Sequence, residues 1–150
     1  MIRVQAEDFD VGAEVAALTR GRTDIGAVVT FSGLVRDVSG DQAVTSMQLE
    51  HYPGMTEKEL ARIEAEAHAR WPLQATLIVH RVGELKPGDN IVLVVTASAH
   101  REAAFEAATF LMDYLKTRAP FWKREEGQGE ARWVDAREND GKAAARWKHR

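Results

Sequence analysis

The sequence has no cysteine among its 150 residues. This excludes disulfides, thiolate zinc sites, iron–sulfur clusters and a cysteine nucleophile, so any sulfur used in a reaction must come from another molecule. Long apolar runs are also missing, because the longest, such as residues 91–95, fall far short of the ~18 residues of a membrane helix. The first residues carry Glu7, Asp8 and Asp10 instead of the basic start of a signal peptide. We therefore expect a cytoplasmic protein that does not contact a membrane.

Charge is modest overall but unevenly placed along the chain. The net charge of −3 argues against a general nucleic-acid binder. Residues 1–115 carry 10 basic and 17 acidic side chains, whereas residues 116–150 carry 10 basic and 6 acidic ones. The basic C-terminal third is compatible with an anion site, but composition alone favours a solvated, salt-bridged surface.

The composition and length predict one folded domain. The hydrophobic fraction of 45% and charged fraction of 29% are typical of globular proteins. We expect a single domain over residues 1–150, whose end, residues 139–150, forms either a short helix or a frayed tail.

Hydrophobic periodicity and turn residues predict an alternation of helices and strands. Helices are expected over residues 11–18 and over residues 99–118, the latter after a Ser98 cap. A further helix is expected to begin at a Thr56 cap, with Glu59 three residues later, and to end at Trp71. Strands are expected over residues 27–35, 44–51, 75–82, 91–97, 121–125 and 132–136, with the first two paired as a hairpin. Since hairpins outnumber crossovers, the sequence predicts an α+β fold with a mainly antiparallel sheet.

Five cationic residues are candidates for an anion site. His100 and Arg101 open the longest predicted helix, where basic side chains oppose the macrodipole. They indicate either an anion pocket or a solvent-exposed pair that costs the fold little stability, and the spacing does not decide between the two. Lys116 lies in the last turn of this predicted helix. The helix dipole favours a cation there, so the position of Lys116 is explained without a functional role. Lys123 follows two aromatic residues and is either a desolvated reactive amine or a side chain whose stem covers apolar surface.

Arg36 and the histidines complete the candidates. Arg36 ends a predicted strand and either binds a phosphate or carboxylate or is simply solvated. His51 and His80 lie in predicted strands and are interpreted as structural. Since no two histidines have the spacing of metal ligands, we expect no metal site and no cofactor.

Several segments together resemble the family of molybdopterin synthase catalytic (large) subunits. They are LEHYPGM at 49–55, HRVGEL at 80–85, SAHR at 98–101, MDYLKTRAPFWKRE at 112–125 and RWV at 132–134. The resemblance implies an α/β hammerhead fold that forms a homodimer. It further implies one small ubiquitin-like subunit on each copy, giving a heterotetramer. The C-terminal Gly-Gly of that partner would carry a thiocarboxylate whose sulfur is transferred to cyclic pyranopterin monophosphate.

The same resemblance implies roles for individual residues. Lys116 and Lys123 would be catalytic, and both would also contact the substrate. Further substrate-binding positions would be Leu34, Val35, Arg36, His100, Arg101, Arg124, Glu125 and Arg137. His100 and Arg101 would reach the site from the other protomer, and Leu34 departs from the polar or basic residue of many relatives. The alternative is a non-catalytic scaffold that only binds a ubiquitin-like partner.

Overall fold

The computed structural model describes residues 1–39, 42–127, 132–134, 142 and 144–149, with the backbone alone at 38, 39, 42, 44, 123–127, 132–134 and 149. In chain order its elements are β1 (Ile2–Gln5), α1 (Val11–Thr19), β2 (Ala27–Leu34), β3 (Val38–Ser39), β4 (Gln42–His51), α2 (Met55–Arg70), β5 (Leu73–Arg81), β6 (Gly83–Leu85), β7 (Asn90–Ser98), α3 (Arg101–Thr117), β8 (Phe121–Gly127), β9 (Arg132–Val134) and a short 3-10 helix (Arg146–His149). Among the described residues, no helix is long and apolar enough to cross a membrane.

The strands form two groups. One sheet has the order β1-β5-β7-β2, with β1 parallel to β5 and the other neighbours antiparallel. In the second group, β4 pairs with β3, β6 and β8, and β8 pairs with β9, all antiparallel. The predicted α+β class with mainly antiparallel strands is confirmed.

Both faces of the first sheet are covered by helices. Ile78 and Val94 face α2 and α3 and pack with Leu60, Ile63 and Phe110 in the main core. On the opposite face, a second apolar layer lies under α1, formed by Leu77, Val79, Leu93 and Val95 with Phe9, Val11, Val15 and Leu18. The alternation of side chains along a strand explains why neighbouring residues serve different layers.

The predicted hairpin between residues 27–35 and 44–51 is wrong. Strand β2 pairs with β7, and the hairpin partner of β4 is only the two-residue β3. The cause lies at Val35, which is buried and packs with Met47, Leu49 and Leu85. Its N–H donates to the Asp89 carbonyl at 2.9 Å, so the chain leaves the first sheet here and enters the second group of strands.

Two predicted helix caps are also corrected. Helix α2 begins after Gly54, whose φ of 87° turns the chain, and the Glu57 carboxylate accepts the Gly54 N–H at 3.2 Å. Thr56 is therefore inside the helix instead of capping it. Helix α3 has His100 at its N-cap, because Ser98 still belongs to β7 and its hydroxyl donates to the Pro72 carbonyl.

The described C-terminal residues pack onto the main core. Trp147 is buried against Trp71 and Phe110, with edge-on ring contacts at 5.5 and 5.6 Å. Its indole N–H donates to the Asp113 carboxylate at 2.6 Å, and Arg146 binds the same oxygen. Of the two forms expected for the tail, the residues at 146–149 adopt the helical one.

Candidate functional site

Lys116 lies in the last turn of α3, exposed to solvent. Helix α3 follows β7 and returns along it, since the Thr96 hydroxyl near the end of β7 donates to the Ala104 carbonyl near the start of α3. The last turn of α3 is consequently above the beginning of β7, where Asn90 pairs with Leu34. Lys116 and the end of β2 therefore lie at the same end of the sheet.

His80 is a buried histidine close to Lys116. Its ring is 5% exposed and stacks on Phe121 with centroids 3.8 Å apart. Its Nδ1–H donates to the Arg81 carbonyl at 2.9 Å. Burial, with smaller contributions from the charges of Lys116 and His51, lowers the pKa of His80 to about 4. The imidazole is therefore neutral at pH 7, and its burial and hydrogen bond agree with the interpretation of His80 as structural.

The connection between α3 and β8 is held from several sides. The Thr56 hydroxyl accepts the Tyr52 N–H and donates to the Pro120 carbonyl, both at 3.0 Å. Arg118 pairs with Glu59 and Glu66 on α2 at 3.4 and 3.5 Å. Residues 118–121 are thus fixed between Lys116 and the strand that contains Lys123.

Strand β8 places the other predicted residues by register. Lys123 lies between Leu49 of β4 and Val134 of β9, two positions after Phe121. Arg124 pairs with Gln48, and Glu125 pairs with Met47. Since alternate residues of a strand share a face, the position of Lys123 is on the same face of β8 as Phe121. The structure therefore brings the backbone of the Lys123 segment to the end of the molecule that carries Lys116.

The segment 34–36 has a buried centre with an exposed residue on each side. Leu34 is 51% exposed, and Arg36 is also exposed, whereas Val35 belongs to the core beneath them. The Val35 carbonyl accepts the Gly88 N–H at 2.8 Å, which fixes the segment against the turn before β7. Arg36 and Leu34 can contact a ligand through their side chains, whereas Val35 positions them.

His100 and Arg101 are at the opposite end of α3. Both side chains are exposed. Arg101 and Lys116 are separated by 15 residues of helix, which corresponds to about 22 Å along the axis. One chain therefore does not bring these two cations into one pocket, so the predicted five-residue cluster is not assembled within a single copy.

The remaining points concern Arg137, metal binding and the residues that the sequence did not place beside the site. Arg137 lies outside the described residues. In the described part of the chain, no three His, Asp or Glu side chains are close enough to hold a metal ion. Sequence reasoning missed the position of Thr56 beside the site, because a threonine before an apolar helix resembles an N-cap. The sequence did contain one signal of an unusual environment near Lys116, namely a single histidine, His80, among apolar strand residues.

The fold and these positions define an α+β protein with a cationic surface at one end of its longest helix. Comparison with known proteins shows the family to which the chain belongs. Residues 4–118 match the family model described as MoaE protein. The chain belongs to this family.

Relatives match almost the whole chain. A protein of Mesorhizobium japonicum named molybdopterin synthase catalytic subunit is 62% identical over 149 residues, covering 98% of this chain and 92% of that protein. The solved molybdopterin biosynthesis MoaE protein from Burkholderia ambifaria is 55% identical, with a TM-score of 0.85, and the match covers 99% of this chain and 97% of that one. A Helicobacter pylori complex of subunits 1 and 2 of molybdopterin-converting factor shares the fold, with a TM-score of 0.73 at 19% identity and coverage of 91% and 90%.

Proposed function

We propose that this chain is the catalytic subunit of a molybdopterin synthase acting in the cytoplasm. It would transfer sulfur from the C-terminal thiocarboxylate of a small ubiquitin-like subunit to cyclic pyranopterin monophosphate, forming the dithiolene of molybdopterin. The observation that carries the proposal is the 62% identity to a protein so named over 98% of the chain. A chain without cysteine agrees with sulfur supplied by a partner.

The reaction requires two anions to meet. The substrate carries a cyclic phosphate and the donor is a thiocarboxylate, and two unit charges 4 Å apart repel by about 4 kcal/mol at an effective dielectric of 20. Arg36 and Lys116 lie at the same end of the sheet, and the Lys123 segment reaches that end through β8. Cations here would offset the repulsion and hold both reactants.

Lys116 is the proposed acid–base group. Its exposed amine stands at the end of α3, next to a histidine that stays neutral, so it is open to a substrate. It would donate a proton to, or stabilise, the oxyanion that develops during sulfur transfer. Lys123 would bind the phosphate or the tail carboxyl as a point charge, with Arg124 and Glu125 flanking it.

We also propose that the site is shared between two copies of the chain. His100 and Arg101 are about 22 Å from Lys116 along α3, so they would contribute to the site of a second copy. Two copies with one small subunit on each would make the heterotetramer. A subunit complex in a protein of the same fold supports the small-subunit partner.

Reconstituted turnover tests the proposal. The purified chain would be mixed with a thiocarboxylated small subunit and cyclic pyranopterin monophosphate, and molybdopterin would be quantified. Lys116→Ala should lower product formation by ~100-fold or more if the amine is an acid–base group. The matched control Lys58→Ala removes an exposed lysine of α2 and should retain turnover.

The outcomes separate the alternatives. Near-normal turnover of Lys116→Ala would contradict the catalytic role of this lysine. A stable complex with the small subunit that gives no product with the unmodified chain would support the scaffold alternative. Restoration of product by Leu34→Lys would then attribute the defect to the departure at position 34.

A further inference from the structure

A tight turn at residues 86–89 packs against the segment 34–36. The turn is closed twice, because the Asp89 N–H donates to the Lys86 carbonyl and the Lys86 N–H donates to the Asp89 carboxylate, both at 2.9 Å. Gly88 has a φ of 92°, the left-handed conformation that glycine adopts without strain at the third position of such a turn. The backbone of Lys86 is therefore held in one place.

Backbone hydrogen bonds join this turn to Val35. The Gly88 N–H donates to the Val35 carbonyl at 2.8 Å, and the Val35 N–H donates to the Asp89 carbonyl at 2.9 Å. Residues joined in this way have Cα atoms about 5 Å apart, and the two ends of a turn lie within about 7 Å of each other. The Cα atom of Lys86 is consequently within about 12 Å of that of Val35.

The two segments present their cations in the same manner. Val35 and Leu85 are buried in one apolar cluster, and each is followed directly by an exposed cation, Arg36 or Lys86. Because successive residues of an extended chain point to opposite sides, the residue after a buried one emerges at the surface. Arg36 and Lys86 therefore emerge from neighbouring segments above a common core.

The charges of this region favour a bound anion only if both cations take part. Within the residues that the structure describes, neither Arg36 nor Lys86 forms an ion pair. The Asp89 carboxylate already accepts the backbone N–H of Lys86. Two exposed acids, Asp37 and Glu84, lie beside the cations in the chain. Two positive charges are needed to outweigh them at close range.

The turn also adjoins Leu34, a position at the site that carries no charge. Leu34 is 51% exposed and pairs with Asn90, the residue that follows the turn. The amine of Lys86 is carried on a flexible stem of four carbons, so it can reach the space in front of position 34. This is the end of the sheet at which Lys116 lies.

We propose that Lys86 binds the phosphate of the substrate together with Arg36, and that it supplies from the turn the positive charge that Leu34 lacks. Arg36 would donate through its planar guanidinium, and Lys86 would add a point charge. The inference rests on the proposed function for the identity of the substrate. The anion site itself rests on the turn and its two neighbouring cations, so it is testable without turnover.

Steady-state kinetics of the reconstituted synthase test the role of Lys86. Lys86→Ala should raise KM for cyclic pyranopterin monophosphate about tenfold, because one hydrogen bond to a charged group is lost. The value of kcat should change little, since the amine binds the phosphate and not the reacting atoms. Lys86→Arg keeps the charge and should stay close to the KM of the parent. The exposed Lys58→Ala of α2 is the matched control and should leave KM unchanged.

A double substitution tests whether positions 34 and 86 serve the same phosphate. Leu34→Lys should recover most of the lost affinity in the Lys86→Ala background. The same change should have a much smaller effect in the parent, because a second amine adds little where the first already binds the phosphate. An equal improvement in both backgrounds would show that the two positions act independently, and it would overturn the proposal.

Binding of inorganic phosphate tests the site without the small subunit. The full chain would be titrated at low ionic strength, where electrostatic attraction is least screened, and followed by phosphorus NMR. Lys86→Ala should raise the Kd at least about fivefold, whereas Lys58→Ala should leave it unchanged. Circular dichroism would verify that each variant is folded.

Each outcome decides the proposal. A Lys86→Ala variant with the KM of the parent, or with only kcat reduced, would overturn the role of Lys86 and leave the proposed function intact. Phosphate binding that depends on Lys86 in a chain without turnover would support the anion site and contradict the proposed function. A parent chain with neither turnover nor phosphate binding would contradict both.

Discussion

The hydroxyl of Thr56 donates to the carbonyl of Pro120 at 3.0 Å, although 64 residues separate them in the chain. The same hydroxyl accepts the Tyr52 N–H, and Tyr52 contacts Trp122 with ring centroids 4.5 Å apart. The turn before α2 is therefore linked twice to the segment between Lys116 and Lys123. Thr56 has no exposed surface, so its hydroxyl has no contact with solvent in the folded chain.

Replacement of this hydroxyl should cost stability and turnover. Thr56→Val keeps the shape of the side chain but leaves the Tyr52 N–H and the Pro120 carbonyl without their partner, which costs about 1–3 kcal/mol. Urea unfolding should show this loss, and kcat should fall if the segment positions the two lysines. Thr56→Ser keeps the hydroxyl and should retain kcat despite some loss of packing. Equal kcat for the valine and serine variants would contradict a positioning role.

His80 predicts a dependence of stability on pH. Its pKa is about 4 in the folded chain against an ordinary 6.5, so the unfolded chain binds the proton first as the pH falls. The contribution of His80 to stability is complete above pH 6.5 and is lost between pH 6.5 and 4. This difference corresponds to about 3 kcal/mol.

Unfolding in urea at pH 7, 5 and 4 would check the His80 prediction. His80→Gln should be destabilised at pH 7 and should lose less stability than the parent chain on acidification. The control Thr109→Gln, an exposed change on α3 that removes no titratable group, should keep the pH dependence of the parent chain. Parallel curves for the parent and His80→Gln would refute the assignment.

Gly26 predicts a large penalty for a small substitution. A Cβ atom at this position would lie 2.2 Å from the Ala99 carbonyl oxygen, and backbone cannot move aside as a flexible side chain can. Gly26→Ala should therefore unfold at a clearly lower temperature, with a cost of about 1–3 kcal/mol. Gly12→Ala is the matched control, because its Cβ would meet only Asp10 Oδ1 at 3.4 Å within a helix. A normal melting temperature for Gly26→Ala would contradict the close approach.

A site shared between two copies predicts complementation between inactive variants. Lys116→Ala and Arg101→Ala would each inactivate both sites of a homodimer. A pair made of one chain of each kind would have one intact site, so a randomised equal mixture should recover about a quarter of the original turnover.

The matched control for complementation mixes Lys116→Ala with Lys123→Ala. Both lysines come from the same chain, so every site of every mixed pair would contain one lesion. This mixture should stay inactive after dissociation and reassociation. Recovery in the control, or its failure in the Arg101 mixture, would argue that His100 and Arg101 do not cross to the second copy.

The sequence allowed the helices and most strands to be predicted because their signals are local. The apolar stripe of Leu60, Ile63 and Ala67 is buried as expected, and Asp10 caps α1 through the Ala13 N–H. Strand pairing depends on contacts between distant segments. Residues 27–35 and 44–51 look like a hairpin in the sequence, yet they belong to different groups of strands because the chain passes from one group to the other at the buried Val35. Sequential strands pair often enough that the sequence alone gave no warning.

The resemblance predicts Lys116, Lys123, Arg36, His100 and Arg101 as site residues but does not say where they lie. The fold brings Arg36, Lys116 and the backbone of the Lys123 segment to one end of the molecule. The length of α3 alone separates Arg101 from Lys116, a consequence of helix rise that was calculable once the helix bounds were known. The buried hydrogen bonds of Thr56 depend on contacts between distant segments, which no local pattern contains.

The 17 residues of α3 form a rigid rod with a cation near each end. In the proposed pair, every copy therefore serves two reaction centres, one with each end of the rod. A form of the chain damaged at both ends would leave no intact centre in any pair that it enters. Such a form, made in the same cell as the intact chain, would act as a dominant inhibitor in proportion to its abundance.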